Sequence, residues 1–156
     1  MTMAGGYQTT GERANVPDYG GWITGRGNDE MTMLKGYARM REFFESFEWW
    51  KLEPRPDLVN SNAMCLAEMG RRYVVYLPDG GRSKLALDDN INAFKWGYDV
   101  RRFNPRTAEY RGLPKALLGP HGEAAAWTSP PMPKNENWVF LLERGSMFSE
   151  SSGSLK

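Results

Sequence analysis

The sequence predicts a mainly β fold, an antiparallel β-sandwich of about seven short strands preceded by one amphipathic α-helix and an irregular N-terminal segment. Between residues 63 and 143, β-branched and aromatic residues collect in short segments roughly ten residues apart, a spacing typical of sandwiches. Gly, Pro and Asn separate these segments. Before them the apolar residues recur with helical spacing, so the structure is expected to change at the elbow 52–56.

Length and composition predict one ordinary globular domain with an appendage. The 156 residues include 40% hydrophobic and 25% charged side chains, and the formal net charge is +1. This balance provides no basic surface for DNA or RNA, so we expect no nucleic-acid partner. No apolar run approaches the about 20 residues that cross a bilayer, so we expect no membrane partner. The N-terminus lacks the features of a signal peptide, so localisation stays open and an exported parent would carry its signal upstream.

The few cysteine and histidine residues restrict the chemistry. Cys65 is the only cysteine, which excludes an intramolecular disulfide and a zinc site of the Cys-x-x-Cys type. His121, the only histidine, lies in a Gly-Pro-His-Gly turn, which favours an exposed loop residue over a catalytic one. Asp88-Asp89-Asn90 lacks the alternating ligand spacing of an EF-hand, so a polar loop is favoured over a calcium site. We therefore expect no metal and no cofactor.

The N-terminal segment 1–29 combines glycine with aromatic residues. Seven glycines are interleaved with Tyr7, Tyr19 and Trp22. Disordered linkers are usually poor in aromatic residues. The composition therefore suits a loop that folds closely over another surface, with a disordered leader as the alternative.

Residues 30–48 are predicted to form a helix whose apolar surface needs a partner. Asn28-Asp29-Glu30 supplies a capping side chain and acidic charge at its start. Five residues spaced by four and three share the predicted apolar face. They are Met33, Tyr37, Met40, Phe44 and Phe47. Packing in a core is favoured over a ligand-binding aromatic box.

Three further aromatic residues, Phe43, Trp49 and Trp50, widen the apolar surface beyond a single stripe. After them, Pro54 and Pro56 are expected to stop the helix and to hold the elbow extended.

The strands are predicted from alternation and from β-branched and aromatic content. In chain order they are 63–68, 71–77, 83–87, 94–101, 109–111, 124–128 and 137–143. Gly70 is predicted to turn the first strand into the second. Pro78-Asp79-Gly80-Gly81 is predicted to make a tight hairpin between the second and third.

Three further connections complete the strand prediction. Asn104-Pro105-Arg106-Thr107 is predicted to form another turn. The segment 112–122 is expected to be a loop, and the Ser-rich tail 149–156 to be disordered.

Five stretches carry a resemblance to a known family. They are Phe43-Phe44-Glu45-Ser46-Phe47, Trp50-Lys51-Leu52-Glu53-Pro54, Tyr73-Val74-Val75-Tyr76-Leu77-Pro78 with Gly80-Gly81, Phe103-Asn104-Pro105-Arg106-Thr107, and Asn137-Trp138-Val139-Phe140-Leu141-Leu142. In this order and spacing, over about residues 43–143, the chain resembles the collagen-binding domain of a collagenase. That module is a C-terminal β-sandwich behind the TIM barrel of apiosidase-like glycoside hydrolases.

Two positions depart from the family pattern. Such domains tend to have Gly after the Pro-Arg-Thr turn, where this chain has Ala108. They also tend to have Asp before the tryptophan of the last strand, where this chain has Asn137. Both positions are interpreted as structural, so the fold prediction is unchanged.

The resemblance implies a division of the chain. Residues 1–53 would be the end of the barrel, a loop plus its closing helix; 57–145 would be the accessory β-sandwich; and 146–156 would be a disordered tail.

Gly5-Gly6-Tyr7-Gln8-Thr9-Thr10-Gly11-Glu12 and Gly20-Gly21-Trp22-Ile23-Thr24-Gly25 resemble the last strand and loop of that barrel. Loops after barrel strands form the substrate face. Glu12, Trp22 and Arg26 would therefore line a sugar site in a complete parent. A solvated charge pair, Glu12-Arg13, is the alternative interpretation.

The expected function depends on which parts of the hydrolase this chain contains. Glycoside hydrolysis needs two carboxyl groups about 5–10 Å apart, and at most one barrel strand is present to carry them. We therefore expect no catalytic residue and no enzyme activity. The favoured function is a non-catalytic accessory module that packs against the catalytic barrel in cis. Whether it has no ligand of its own or binds a polysaccharide or a collagen-like protein is left open between two hypotheses. The alternative is a fragment of a glycoside hydrolase whose loop 1–29 lines the substrate site.

The aromatic residues of the strands are expected to distinguish a binding role from a packing role. A line of exposed Trp or Tyr on one sheet face would favour binding of a polysaccharide or fibrous protein. Burial of Trp96, Tyr98, Trp127 and Trp138 would favour packing alone. A free-standing enzyme of unknown type is the least favoured hypothesis.

Overall fold

The computed structural model describes residues 32–60, 62–87, 97–117 and 126–145, which contain one α-helix and eight strands. The elements are α1 (Thr32–Glu45), β1 (Glu53–Pro54), β2 (Met64–Glu68), β3 (Arg72–Leu77), β4 (Lys84–Ala86), β5 (Gly97–Asn104), β6 (Glu109–Leu117), β7 (Ala126–Thr128) and β8 (Trp138–Arg144). Short 3-10 turns occupy Trp49–Lys51 and Pro56–Leu58. All strand pairs are antiparallel. The predicted mainly β, antiparallel fold is confirmed.

Six strands form one sheet in the order β1-β2-β3-β8-β5-β6, and β4 pairs with β7 in a second sheet. The central strands β3 and β8 have consecutive residues with 0% exposure, Tyr73 to Val75 in one and Phe140 to Leu142 in the other. Successive side chains of a strand point to opposite faces. Both faces of the large sheet are therefore covered.

The two-stranded sheet covers one face. The buried residues on this side include Tyr73, Val75, Leu77, Leu85, Tyr98, Val100, Trp138, Phe140 and Leu142. Trp127 of β7 packs against them, with its ring centroid 5.2 Å from that of Phe140. These contacts make the β-sandwich.

The helix covers the opposite face through Phe43 and Phe47. Phe43 is 2% exposed, and its ring centroid lies 4.8 Å from that of Phe103 on β5. The other residues in this cluster are Leu66, Val74, Val139 and Leu141 of the sheet. The sheet therefore lies between the helix on one side and β4 with β7 on the other.

The prediction of which helix residues face the core was wrong in one respect. Phe43 was predicted to lie outside the apolar stripe, but it is the most buried of the described helix residues. Tyr37, Met40 and Phe44, which were predicted to lie in the stripe, are only half-buried. The apolar surface of the helix is wider than one stripe, so the shape of the sheet decides which part is covered. Phe47 is buried as predicted.

The prolines do not stop the helix, contrary to prediction. The helix ends at Glu45, and the Ser46 hydroxyl donates a 2.7 Å hydrogen bond to the carbonyl of Phe43. Such a local side-chain bond competes with continued helix. Pro54 instead lies in β1, at the edge of the sheet, where a missing N–H costs no ladder bond.

The predicted hairpin between β3 and β4 was also wrong. β3 lies between β2 and β8, and β4 pairs with β7 in the other sheet. Gly80 and Gly81 have φ of 68° and 79°, and Gly81 exchanges backbone hydrogen bonds of 3.0 and 2.9 Å with Met132. The two glycines turn the chain out of the first sheet and into the second, rather than back along β3.

The short strand predicted at 109–111 is longer, because β6 continues to Leu117. The loop predicted for 112–122 is therefore wrong for 112–117. This part of β6 includes Pro114, which cannot donate a ladder hydrogen bond. It is tolerated because β6 is an edge strand and because the register against β5 shifts between Tyr98 and Val100.

Both departures from the family pattern lie around one turn. Ala108 follows the turn with φ of 64°, the left-handed conformation that favours Gly. The backbone carbonyl and side-chain oxygen of Asn137 accept hydrogen bonds of 2.7 and 2.9 Å from Nη1 of Arg106 in the same turn. The two positions are structural, as the sequence indicated.

Several predictions about chain organisation lie outside the described residues: the loop 1–29, the helix start at 28–30, residues 94–96, residues 118–125 and the tail 146–156. The division into a barrel end and an accessory module remains a prediction. The described contacts show that α1 lies against the sheet of the sandwich.

We predict that Phe43→Ala lowers the free energy of unfolding by about 3–5 kcal/mol, because it removes a buried ring between the helix and the sheet. Phe44→Ala is the matched control and should cost about 1 kcal/mol, because Phe44 is half-buried. Urea denaturation followed by tryptophan fluorescence measures both changes. Equal losses of unfolding free energy in the two variants would contradict the observed packing of Phe43 between the helix and the sheet.

We predict that Ala108→Gly raises the free energy of unfolding by about 0.5–1 kcal/mol, because Gly relieves the left-handed strain at φ 64°. Ala38→Gly, on the exposed side of α1, is the matched control and should lower it by about 1 kcal/mol. Thermal or urea unfolding distinguishes them. A loss of stability in both variants would contradict the turn geometry.

Candidate functional site

The sugar-site residues predicted from the resemblance, Glu12, Trp22 and Arg26, lie outside the described residues, as do His121 and the segment 88–90. In the described ranges, no group of three or more His, Cys, Asp and Glu side chains is arranged to hold a metal ion. The helix in the described part of the chain is not long and apolar enough to cross a membrane. The candidate surfaces are therefore those built by α1, the sheets and their loops.

A pair of exposed tryptophans follows the helix. Trp49 and Trp50 are 40% and 65% exposed, and their rings form an edge-to-face pair with centroids 6.3 Å apart. They stand on the 3-10 turn that begins after Glu48. No residue of this turn is buried, whereas Leu52, which follows it, packs with the helix-side cluster. We call Trp49 and Trp50 the tryptophan surface.

Charged residues border the tryptophan surface. Glu48 forms ion pairs with Lys51 at 2.8 Å and with Arg71 at 3.9 Å. The hydrogen bond from Lys51 lowers the pKa of Glu48, and the nearby charges of Lys51, Arg71 and Arg72 act in the same direction. The exposed rings thus lie beside a carboxylate that stays ionised.

The burial of the strand aromatic residues bears on whether they serve packing or ligand binding. Tyr98 is 3% exposed and Trp138 is 7% exposed, and Trp127 is half-buried. Trp96 lies outside the described residues. The guanidinium groups of Arg102 and Arg106 each lie 4.7 Å from the centre of the Trp138 ring. These rings are used for packing.

Beside the helix, the same sheet face carries a row of charged residues. The backbone register places Glu68, Arg72, Glu143 and Asp99 side by side across four strands. Arg72 forms ion pairs with Glu143 at 2.9 Å and Glu68 at 3.7 Å, and Arg101 pairs with Glu143. Arg72 therefore bridges the carboxylates of the two neighbouring strands.

An open groove of about 540 Å³ lies where β2 begins and β3 ends. We call it the end groove. Its lining residues are Asn62, Ala63, Met64, Pro78, Asp79, Gly80, Gly81, Lys134 and Asn135. Sequence reasoning missed it, because the loops that form it are far apart in the chain and come together in the fold, where Gly81 pairs with Met132.

Cys65 is buried, and its thiol is held in the protonated form at neutral pH. The residue is 1% exposed in the sandwich core, and burial raises the pKa of its thiol to about 12. Thiolate, the reactive form, is therefore scarce in the folded chain.

We predict that Cys65 makes the folded chain lose stability above pH 9. The thiol pKa rises from 9.0 to about 12 on folding, so the folded state retains a proton that the unfolded state releases. Stability is then complete below pH 9 and falls by at most about 1.4 kcal/mol per pH unit between pH 9 and 12. The difference between wild type and Cys65→Ala in urea unfolding isolates this effect. Parallel pH dependences of the two proteins would contradict it.

The comparisons with known proteins bear on the fold. No family model matches the sequence, and no curated protein matches it. A solved structure named "Glycoside hydrolase" is similar, with a TM-score of 0.50 and 6% sequence identity. The match covers 67% of this chain and 24% of the other, so this chain spans about a quarter of that protein. The described β fold is therefore similar to part of a glycoside hydrolase.

Proposed function

We propose that this chain is a non-catalytic accessory β-sandwich of the kind appended to glycoside hydrolases, and that it packs against a catalytic barrel in cis. The main observation in support of this proposal is that its fold is similar to about a quarter of a glycoside hydrolase. A match of that extent is what a small module within a larger enzyme would give. The resemblance to the collagen-binding domain of a collagenase points to the same kind of module.

The tryptophan surface supports the packing role. Large aromatic rings contribute strongly to interfaces, and Trp50 at 65% exposure leaves most of its ring uncovered by the described residues. The half-buried flank of α1 at Phe44 adds to the apolar area on the helix side. The helix would thus contact two bodies, with Phe43 and Phe47 on the sheet and its flank with the tryptophan surface on the barrel.

The ion pairs support a role without catalysis. Glu68 and Glu143, on the two strands that flank β3, both pair with Arg72. Glu136 pairs with Arg106 at 2.8 Å, and Asp99 with Lys115 at 3.0 Å. A glycosidase instead keeps one carboxyl group protonated and the other free to attack or to activate water. These carboxylates are arranged to hold strands together.

The collagen-binding role and the role of loop 1–29 in a sugar site rest on the resemblance alone. Trp49 and Trp50 form an edge-to-face pair rather than a line of rings on a sheet face, which favours packing over binding to a fibre. Glu12, Trp22 and Arg26 keep their proposed place in the site of a complete parent.

We predict that Trp50→Ala weakens association with the catalytic barrel at least tenfold. The experiment expresses the barrel encoded by the reading frame upstream of this chain and measures its binding to the 156-residue chain by calorimetry. Lys35→Ala, on the exposed side of α1, is the control and should bind as wild type. Circular dichroism confirms that each variant is folded.

Two results would contradict the proposal. One is an upstream sequence that encodes no barrel, and the other is equal affinity of the wild-type and Trp50→Ala chains. Hydrolysis of aryl glycosides by the purified chain alone would contradict its non-catalytic part.

A further inference from the structure

The end groove is built to keep its shape. A Cβ atom added to Gly80 would lie 1.8 Å from the carbonyl oxygen of Pro133, so only Gly lets the two loops approach so closely. Three of the five described residues with positive φ, Gly80, Gly81 and Asn135, line the groove. Gly adopts a positive φ readily, so only Asn135 holds a costly conformation, of the kind that concentrates at functional sites.

A hydrogen-bond network fixes the wall of the groove behind Asn62. The amide of Asn62 donates to the carbonyl of Arg82 at 3.0 Å, and its oxygen accepts from the amide of Asn60. The oxygen of Asn60 in turn accepts from the Ser83 hydroxyl at 2.7 Å and from the Lys84 backbone N–H at 2.9 Å. A ligand would therefore meet a preformed surface and would pay little to order it.

The side chains left for a ligand are those of Asp79, Lys134 and Asn135. All three are exposed, and among the described residues neither Asp79 nor Lys134 forms an ion pair. They offer a carboxylate acceptor, an ammonium donor and an amide. Met64, 44% exposed, and Pro78 supply apolar surface beside them.

This combination selects a class of ligand. The opposite charges of Asp79 and Lys134 cancel, so the groove favours neither a strongly anionic nor a strongly cationic molecule. A sugar hydroxyl both donates and accepts, and can bond to a carboxylate and an ammonium at once. Met64 and Pro78 offer apolar surface to the C–H face of a sugar ring. The volume of about 540 Å³ lies within the about 300–1,000 Å³ range of small-molecule sites.

We propose that the end groove binds a short stretch of a neutral oligosaccharide through Asp79 and Lys134. The choice of ligand class rests on the proposed function, because an accessory module of a glycoside hydrolase would meet carbohydrate. The groove itself is separate from the tryptophan surface in sequence and in its lining residues.

The test titrates the ¹⁵N-labelled 156-residue chain with cellohexaose and with xylohexaose and follows its amide NMR signals. We expect saturable shifts at Gly80, Gly81 and Asn135 with at least one of these sugars. Asp79→Asn and Lys134→Ala should each raise Kd at least tenfold. Glu42→Ala and Lys35→Ala, the matched controls on the exposed side of α1, should leave Kd unchanged.

Three results would overturn the proposal: no saturable shift with either sugar, unchanged Kd in both groove variants, or tighter binding of oligogalacturonate or of a Gly-Pro-Pro repeat peptide at the same amides. The two proposals fail separately. Loss of sugar binding leaves the effect of Trp50→Ala on barrel association intact, and loss of barrel association leaves the NMR titration intact.

Discussion

Burial of both faces of the two central strands is the constraint on which the rest of the structure depends. β3 and β8 lie side by side with Val74 opposite Leu141, and three consecutive residues in each are fully inaccessible. Apolar area removed from water stabilises a fold by about 25 cal/mol per Å², and here it is removed on two sides at once. The sheet therefore needs two covers. The two-stranded sheet is one, and α1 with its Phe43 is the other.

The sequence predicts features that depend on neighbouring residues, and it does not predict features that depend on residues far along the chain. Alternation and β-branched content are local, so the strands 63–68, 71–77 and 137–143 were predicted within a residue or two of their observed bounds. Partner choice is not local. The Pro-Asp-Gly-Gly turn has the residues of a hairpin, yet its glycines serve a crossover because Gly81 pairs with Met132. The same limit explains Phe43, whose burial depends on the shape of a sheet formed far along the chain.

The sequence indicated part of the tryptophan surface but not the end groove. The sequence indicated that Trp49 and Trp50 add apolar surface next to a helix. It did not indicate that both would remain exposed while Phe43 is buried. The end groove had no sequence signal, because Asp79 and Lys134 belong to separate loops that only the fold brings together. The two surfaces involve different residues, so packing in a larger enzyme and contact with carbohydrate are compatible in one module.

The central claim is that the helix is a structural layer of the sandwich. Urea unfolding of a chain shortened to residues 53–156 tests this most directly, because it removes Phe43, Phe47 and Leu52 and uncovers Val74 and Leu141. The account predicts loss of the cooperative transition, or a fall in unfolding free energy of several kcal/mol, since single buried rings are each worth about 3–5 kcal/mol. A cooperative transition at the midpoint of the full chain would contradict it and would show that the sheets fold without the helix.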